Sequence, residues 1–238
     1  SLGQEANAVG VLSHLGPDDI VVSNHRGHGH FLAYGGDPQA LFAELMGKRI
    51  GVCGGIGGSQ HLHWRNFYSS GIQGGTLAMA AGMALAEKYA KTDTIVVDFM
   101  GDGTLGEGIV YECLNMISLW QTPLLIVLEN NQIAQTTPAH MTIAGSLTQR
   151  FEAFDLPTTY VDSSDILVIS PIAQDLIKQV RSNSRPQVLI ITTARLGAHS
   201  KGDDTRPKEE LDLLWQKRDP VAIQAARLDE VQTQKIQH

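Results

Sequence analysis

The chain has few cysteines, no excess of basic charge and no long apolar run, and each absence excludes a class of protein. The two cysteines, Cys53 and Cys113, do not form a CxxC pair, so we expect a reducing compartment rather than a disulfide scaffold. Lys and Arg total 18 against 25 Asp and Glu, and the net charge of -7 argues against nucleic acid as the main partner. No segment approaches the roughly 20 apolar residues of a membrane span, and the first residues resemble neither a signal nor a transit peptide. We therefore expect a cytoplasmic protein that binds neither nucleic acid nor membranes.

Glycine, in contrast, is abundant. The 238 residues include 24 glycines, which cluster at 27–36, 47–58, 71–82 and 101–108. Glycine lets backbone N–H groups come close to a ligand, and binding residues concentrate on loops. The distribution therefore predicts one large ligand enclosed by several loops.

The stretch from 94 to 137 predicts a strand, a crossover helix and a second strand. An apolar, β-branched run over 95–100 stops at Gly101-Asp102-Gly103, a helical period follows over 107–120, and a second apolar run covers 124–128. Strands joined in this way are parallel, and the crossover is right-handed. We therefore expect an α/β protein with a parallel twisted sheet flanked by helices.

The rest of the chain carries further helix and strand signals. Helices are predicted over 2–15, 38–46, 74–89, 171–181, 207–217 and 220–228, and strands over 20–22, 158–161 and 186–193. The helix over 74–89 is rich in small residues, which suits either an internal core helix or a contact with another subunit.

Asp102 and Asn131 follow the two central strands, so both are expected at the same carboxyl edge of the sheet. Neighbouring strands are about 4.8 Å apart. Hard oxygen ligands this close suit Mg²⁺ or Ca²⁺, and Mg²⁺ is usually completed by water and substrate phosphates. On these residues alone, a glycine-rich turn followed by an Asx-turn at Asn130-Asn131 stays an open alternative.

Basic side chains follow the first predicted strand. Arg26 lies in a glycine-flanked turn and suits a diphosphate, because its planar fork makes paired contacts; a surface ion pair is the alternative. Histidines fall in the same loop and in the loop near 61 to 63, which raises zinc as a candidate. No cysteine or carboxylate stands at ligand spacing beside these histidines, so anion binding and proton shuttling are the favoured use.

Several of these blocks together resemble one family. Gly101-Asp102-Gly103 followed by Asn130-Asn131 is similar to the thiamine diphosphate motif, and this resemblance implies that Asp102, Asn131 and the carbonyl of Ile133 hold Mg²⁺ on the diphosphate. The segments GQEA at 3–6, HRGHGH at 25–30 and RLGAHSKGDD at 195–204 resemble alpha subunits of thiamine diphosphate-dependent 2-oxo acid dehydrogenases. The family includes the pyruvate, branched-chain and acetoin enzymes, and it implies a thiamin diphosphate-binding fold.

The resemblance also assigns site residues. It implies that His25 and Arg26 contact the diphosphate, that the backbone at Gly71 to Gln73 faces the aminopyrimidine ring, and that His199 reaches the cofactor. His199 and His25 are the candidate catalytic residues. The full set of cofactor-binding candidates is His25, Arg26, Gly71, Gln73, Gly101, Asp102, Gly103, Thr104, Asn131, Ile133 and His199.

The implied function is that of an alpha subunit that acts on a 2-oxo acid or acetoin and passes the acyl group to a carrier such as a lipoyl domain. The glutamate that activates the cofactor comes from a beta subunit in this family, so the resemblance implies a partner chain in an α2β2 assembly. HRGHGH favours the acetoin branch and HSKGDD the branched-chain branch, which leaves the substrate open. A transketolase-type enzyme that transfers two-carbon units and a non-catalytic scaffold domain are the alternatives.

The resemblance predicts one cofactor-binding domain over 1–228 and a polar tail over 229–238. Several dozen residues that precede GQEA in the family are expected to be missing from the present chain.

Overall fold

The computed structural model describes residues 1–229, 232, 235 and 236. Its strands are β1 (Ile20–Ser23), β2 (His63–Trp64), β3 (Phe67–Ser69), β4 (Val96–Gly101), β5 (Leu124–Asn130), β6 (Ile133–Ala134), β7 (Thr137–Pro138), β8 (Thr158–Asp162) and β9 (Gln187–Thr192). Its α-helices are α1 (Glu5–Leu12), α2 (His28–Ala33), α3 (Pro38–Leu45), α4 (Gly75–Ala90), α5 (Gly108–Trp120), α6 (Leu147–Glu152), α7 (Ile166–Asn183), α8 (Lys208–Arg218) and α9 (Pro220–Ala225).

Seven strands form one sheet in the order β2-β3-β1-β4-β5-β9-β8. Every neighbouring pair is parallel except β2 with β3, where a short hairpin adds an antiparallel strand at the edge. The predicted parallel α/β sheet is therefore confirmed, with this one departure at its edge.

Helices cover both faces of the sheet. Val97 and Phe99 of β4 pack into one apolar cluster with α1 and α7, whereas Val96 and Met100 pack into the other with α4 and α5. Burial on both faces explains why the central strands read as continuous apolar runs. Because these strands are parallel, every loop that follows one of them lies at the same edge of the sheet.

The helix over Gly75–Ala90 is a core helix, and a contact with another subunit stays a prediction. Its small and apolar inner side, including Leu77, Ala80 and Ala84, is fully buried in the core. On its outer side Met79 is 42% exposed, and Gly82 is also exposed. The helix therefore contributes to the core and still presents an apolar strip to solvent.

Two local predictions were wrong. The helix predicted to begin at Pro171 begins at Ile166, because Asp165 caps it by accepting a hydrogen bond from the Leu167 N–H. The histidines at 28 and 30 were placed in the loop after β1, but they belong to α2.

No helix in the described part of the chain has the length and apolar character needed to cross a bilayer. Of the predicted polar tail over 229–238, positions 230, 231, 233, 234, 237 and 238 lie outside the described residues.

Candidate active site

The loops after β1, β3, β4, β5 and β9 surround a cavity of about 470 Å³ at the carboxyl edge of the sheet. All of the site residues predicted from the sequence line this one cavity, although they come from segments far apart in the chain. They are His25, Arg26, Gly71, Gln73, Gly101, Asp102, Gly103, Thr104, Asn131, Ile133 and His199.

Asp102 lies just after β4, at the start of a 3-10 turn over Asp102–Gly106 that separates the strand from α5. The residue is 2% exposed; its Oδ1 accepts a hydrogen bond from the Gly103 N–H at 3.0 Å, and its Oδ2 has no partner among the described residues. Burial raises the pKa of Asp102, and the backbone N–H groups of Gly103 and Gln132 act against that rise. One buried carboxylate oxygen is thus left for a cation.

Gly103 must be a glycine because the chain after β5 passes directly over it. A Cβ atom at Gly103 would lie 2.6 Å from the Cβ of Ala134, closer than packed carbon atoms approach. The close approach brings the 131–134 segment against Asp102.

Asn131 is presented by a tight turn after β5. Gln132 adopts a left-handed φ of 63°, and the Ile133 N–H donates to the Asn131 Oδ1 at 3.1 Å. An Asx-turn was the alternative to a metal-ligand role for Asn131, and the structure contains this turn. The turn is compatible with a ligand role, because an amide oxygen has a second lone pair.

Arg26 follows β1, and its backbone N–H donates to the Asn24 Oδ1 at 2.8 Å, which fixes the loop. Within the described residues its guanidinium makes no hydrogen bond or ion pair, so the surface ion pair considered for it is absent there. Burial lowers the pKa of Arg26 from its usual value, and Asp203 opposes this change. An unpaired guanidinium in a cavity wall suits an anionic ligand.

His25 and His199 come from loops at opposite sides of β4 and β5, and their Nε2 atoms are 3.0 Å apart. Burial, with the neighbouring His199 and Arg26, lowers the pKa of His25 to about 4. Burial and Arg26 also lower the pKa of His199, and Asp203 acts in the opposite direction. Both imidazoles are therefore neutral near pH 7, and one donates a hydrogen bond to the other.

Gly71, Gln73 and Thr104 form the side of the cavity that faces α4. Gln73 donates from Nε2 to the Ser70 carbonyl at 3.2 Å, and the Thr104 hydroxyl is 3.5 Å from the Gln73 Oε1. At Gly71, a Cβ atom would lie 2.3 Å from the Oε1 of Gln60. A side chain at position 71 would therefore collide with Gln60, and glycine keeps the backbone there accessible from the cavity.

Besides Glu107, two charged residues of the cavity, Glu129 and Arg195, were missed by the sequence analysis. Glu129, at the end of β5, accepts a hydrogen bond from the Asn7 side chain at 3.0 Å and lies 3.5 Å from the His30 Nε2. Burial opposes its charge, but His30 lowers the pKa of Glu129 to about 2. Arg195, just after β9, donates to the carbonyls of Gly197 and Gln135 and is 4% exposed. A charged residue at the end of an otherwise apolar strand was the available signal for both.

The zinc alternative gains no support from the geometry. Among the residues that the structure describes, no group of three or more His, Cys, Asp or Glu side chains could hold a metal ion. His63 instead stacks on Tyr68 with ring centroids 4.6 Å apart, and the His28 Nε2 lies 2.9 Å from the Ser59 carbonyl.

The cavity fits a cofactor that carries a diphosphate and a divalent cation. The cation would meet the buried Asp102 oxygen and the diphosphate the Arg26 guanidinium, neither of which has a partner among the residues that the structure describes. The site lies outside the carboxyl ends of parallel strands, where ligands bind in open α/β sheets.

The fold is that of the thiamin diphosphate-binding enzymes. A solved structure from Mycobacterium smegmatis, provisionally assigned to the thiamin diphosphate-dependent enzymes, superposes with a TM-score of 0.56 over 82% of this chain and 32% of its own. The identity of 14% limits this likeness to the fold.

Sequence comparison defines the family. The model of the dehydrogenase E1 component family matches residues 1–235, and the chain belongs to this family. It is 36% identical over 226 residues to the alpha subunit of acetoin:2,6-dichlorophenolindophenol oxidoreductase from Bacillus subtilis (strain 168), covering 93% of this chain and 68% of the relative. It is 34% identical over 233 residues to the alpha subunit of the pyruvate dehydrogenase E1 component from Rhizobium meliloti (strain 1021), covering 95% and 67%. The chain thus spans about two thirds of the length of these relatives.

Proposed function

We propose that the chain is the alpha-type subunit of a thiamine diphosphate-dependent dehydrogenase that acts on a 2-oxo acid or acetoin and passes the acyl group to a carrier such as a lipoyl group. One observation carries the proposal: in the described part of the chain, Asp102 keeps a buried carboxylate oxygen without a partner in the same cavity as the Arg26 guanidinium, which has none either. The names of the two relatives support the reaction class and give both acetoin and pyruvate as candidate substrates.

In the proposed site, Mg²⁺ is held by Asp102, the side-chain oxygen of Asn131 and the carbonyl of Ile133. Arg26 and His25 bind the diphosphate, and Gly71 to Gln73 with Thr104 line the place of the aminopyrimidine ring. When bound, thiamine diphosphate supplies the nucleophilic carbon and the electron sink for cleavage next to a carbonyl. The chain itself orients that cofactor, excludes water from it and holds a proton on the His25–His199 pair.

A complete site requires a second chain in this proposal. The carboxylates that line the cavity are Asp102, Glu107 and Glu129; the first is assigned to the metal and the last is tied to Asn7 and His30. We assign the cofactor-activating glutamate to a beta-type partner in an α2β2 enzyme. The two free cysteines, Cys53 and Cys113, support a cytoplasmic location for that enzyme.

The metal site is tested by Asp102→Ala in the assembled enzyme, titrated calorimetrically with thiamine diphosphate with and without Mg²⁺. We expect Mg²⁺-dependent affinity in the wild type and a loss of at least about 100-fold in the variant, because loss of even an outer-shell partner costs 10–100-fold. Asp212→Ala removes an exposed carboxylate on α8 and is the control that should bind normally. Equal affinity in Asp102→Ala and the wild type would refute the site.

A further inference from the structure

Asp203 lies beside the histidine pair and has one oxygen without a partner. Its Oδ1 accepts a hydrogen bond from the Ser200 N–H at 2.8 Å, which fixes the carboxylate within the 199–204 loop. Its Oδ2 is buried and has no hydrogen-bond partner among the described residues. This oxygen lies 3.7 Å from the Nδ1 of His199.

The hydrogen bond between the two imidazoles has a direction that the tautomers decide. The Nε2 atoms of His25 and His199 are 3.0 Å apart, so one must carry the hydrogen and the other the lone pair. If His199 carries its hydrogen on Nδ1, its Nε2 accepts and His25 donates. The opposite tautomer reverses the bond.

We propose that Asp203 is a positioning residue that holds His199 in the Nδ1–H tautomer, so that His25 donates to His199 across the cavity. A carboxylate can only accept hydrogen bonds when ionised, so Oδ2 favours a hydrogen on the nitrogen that it faces. The inference rests on the proposed function only for the role of His199 in turnover.

A second observation selects the same arrangement. The Nδ1 of His25 is buried and has no partner in the described part of the chain. If His25 donates from Nε2, its only hydrogen is there and Nδ1 is an acceptor without a donor. If the bond is reversed, the hydrogen of His25 lies on Nδ1 and forms a buried N–H without an acceptor. Orphaned buried N–H groups are rarer in proteins than under-satisfied acceptors.

The charges around the pair place any added proton on His199. Burial and Arg26 oppose a positive charge on both imidazoles and Arg195 opposes one on His199, whereas Asp203 favours one on His199. The Nε2 of His199 is then the base of the pair, and its imidazolium form is stabilised by the carboxylate on the other ring nitrogen. Serine hydrolases use a carboxylate in the same way to hold a histidine tautomer.

The alternative partner of His199 is its neighbour in the chain. The Ser200 hydroxyl lies 3.1 Å from the same Nδ1 and can donate or accept, so it does not select a tautomer by its chemistry alone. A test must therefore separate Asp203 from Ser200.

The tautomers are read from side-chain nitrogen chemical shifts of the full chain labelled with ¹⁵N-histidine, without cofactor. In the wild type we expect the hydrogen of His199 on Nδ1 and that of His25 on Nε2. Asp203→Asn can keep the Ser200 N–H bond through its amide oxygen and place an NH₂ donor near Nδ1, so the hydrogen of His199 should move to Nε2. Ser200→Ala should leave the wild-type tautomers in place, as should the surface control Asp212→Asn.

Turnover with the partner chain is the second measurement. Asp203→Asn should lower kcat by about 100-fold, the scale of a positioned acid-base group, with the affinity for thiamine diphosphate and Mg²⁺ changed far less. A wild-type His199 that carries its hydrogen on Nε2, or a tautomer change in Ser200→Ala but not in Asp203→Asn, would overturn the proposal. Failure of the wild type to bind the cofactor would refute the proposed function while leaving the tautomer result intact.

Discussion

Asp98 lies in the middle of β4, between Val22 of β1 and Ile126 of β5. It is fully buried, and neither carboxylate oxygen has a partner among the described residues. Burial raises its pKa to about 8. At neutral pH the folded chain therefore holds this side chain mainly as the uncharged acid.

This carboxylate should make stability depend on pH. Its folded-state pKa is above the unfolded value of about 3.9, so the folded chain binds the extra proton between about pH 4 and 8, and stability falls as pH rises through that window. Asp98→Asn keeps the size and removes the charge. We expect the variant to melt at a temperature similar to that of the wild type at pH 5 and at a higher temperature at pH 9. At pH 9 the free energies of unfolding should differ by an amount on the order of 4 kcal/mol.

Thermal melting at several pH values checks this expectation. Asp175→Asn, which alters an exposed carboxylate on α7, should follow the wild type throughout. Parallel pH profiles of the wild type and the Asp98→Asn variant would contradict the raised pKa of Asp98.

At the scale of elements, Glu44 organises the glycine-rich loop that leads to the cavity. The side chain at the end of α3 is fully buried and accepts hydrogen bonds from the backbone N–H groups of Cys53, Gly55, Gly57 and Gly58, at 2.7 to 3.1 Å. Burial raises its pKa, but these donors more than offset that effect, and the pKa is lowered overall. A single carboxylate thus accepts the backbone hydrogen bonds that a helix or strand would otherwise satisfy in this loop.

Glu44→Gln should loosen the loop, because an amide NH₂ would face N–H donors that now bond to an oxygen. We expect a loss of about 3 kcal/mol of stability, the scale for breaking hydrogen bonds to a buried charge. Hydrogen exchange should accelerate at the four bonded amides, with Glu112→Gln, an exposed substitution on α5, as control. Unchanged exchange in Glu44→Gln would contradict this role.

The contribution of Glu44 to stability should also depend on pH. Because the pKa of Glu44 is lowered in the folded chain, its stabilisation is present above the unfolded pKa of about 4.3 and should disappear as pH falls through the folded value.

The predictability of the elements follows from which signals are local. The sequence predicted β4, α5 and β5 correctly because several local signals agree within one short stretch. The spacing of apolar residues, the position of the glycines and the lengths of the apolar runs all indicate a strand, a helix and a second strand. The start of α7 was misplaced because proline usually opens a helix, whereas Pro171 lies inside this one and removes one backbone donor from its interior. The cap at Asp165 was the better signal.

For the site, the sequence located residues that belong to recognisable blocks and missed those that act through tertiary contacts. Glu129 and Arg195 acquire their partners from Asn7, His30 and Gln135, which lie 60 or more residues away. No spacing rule encodes such pairs, because they arise only when loops from several strands meet. The functional assignments of the cavity residues stay predictions to be tested by substitution.

For the whole molecule, we predict that the chain alone binds thiamine diphosphate weakly and turns over no 2-oxo acid, and that a beta-type partner restores activity. The reason is that the proposal assigns the cofactor-activating glutamate to the partner and gives this role to none of the described carboxylates that line the cavity. Binding and catalysis should therefore separate in the isolated chain. The measurement is decarboxylation of pyruvate and cleavage of acetoin by the purified chain, with and without the partner.

An isolated chain that decarboxylates a 2-oxo acid, free of every other protein, would contradict this model. Glu107→Gln would then be the first variant to examine, because Glu107 lines the cavity and no hydrogen bond of its side chain to another described residue is present. Loss of that activity in the variant would identify an internal activating group.

The packing of α1 against α7 ties the beginning of the described chain to a late segment. A Cβ atom at Gly10 would lie 3.1 Å from the Ile169 side chain, and the Leu196 N–H donates to the Leu2 carbonyl at 3.0 Å. During synthesis at 5–20 residues per second, α1 therefore waits roughly ten to thirty seconds before the ribosome has made the helix that covers it. Over that time the apolar side of α1, including Val11 and Leu12, is a surface for a chaperone to hold.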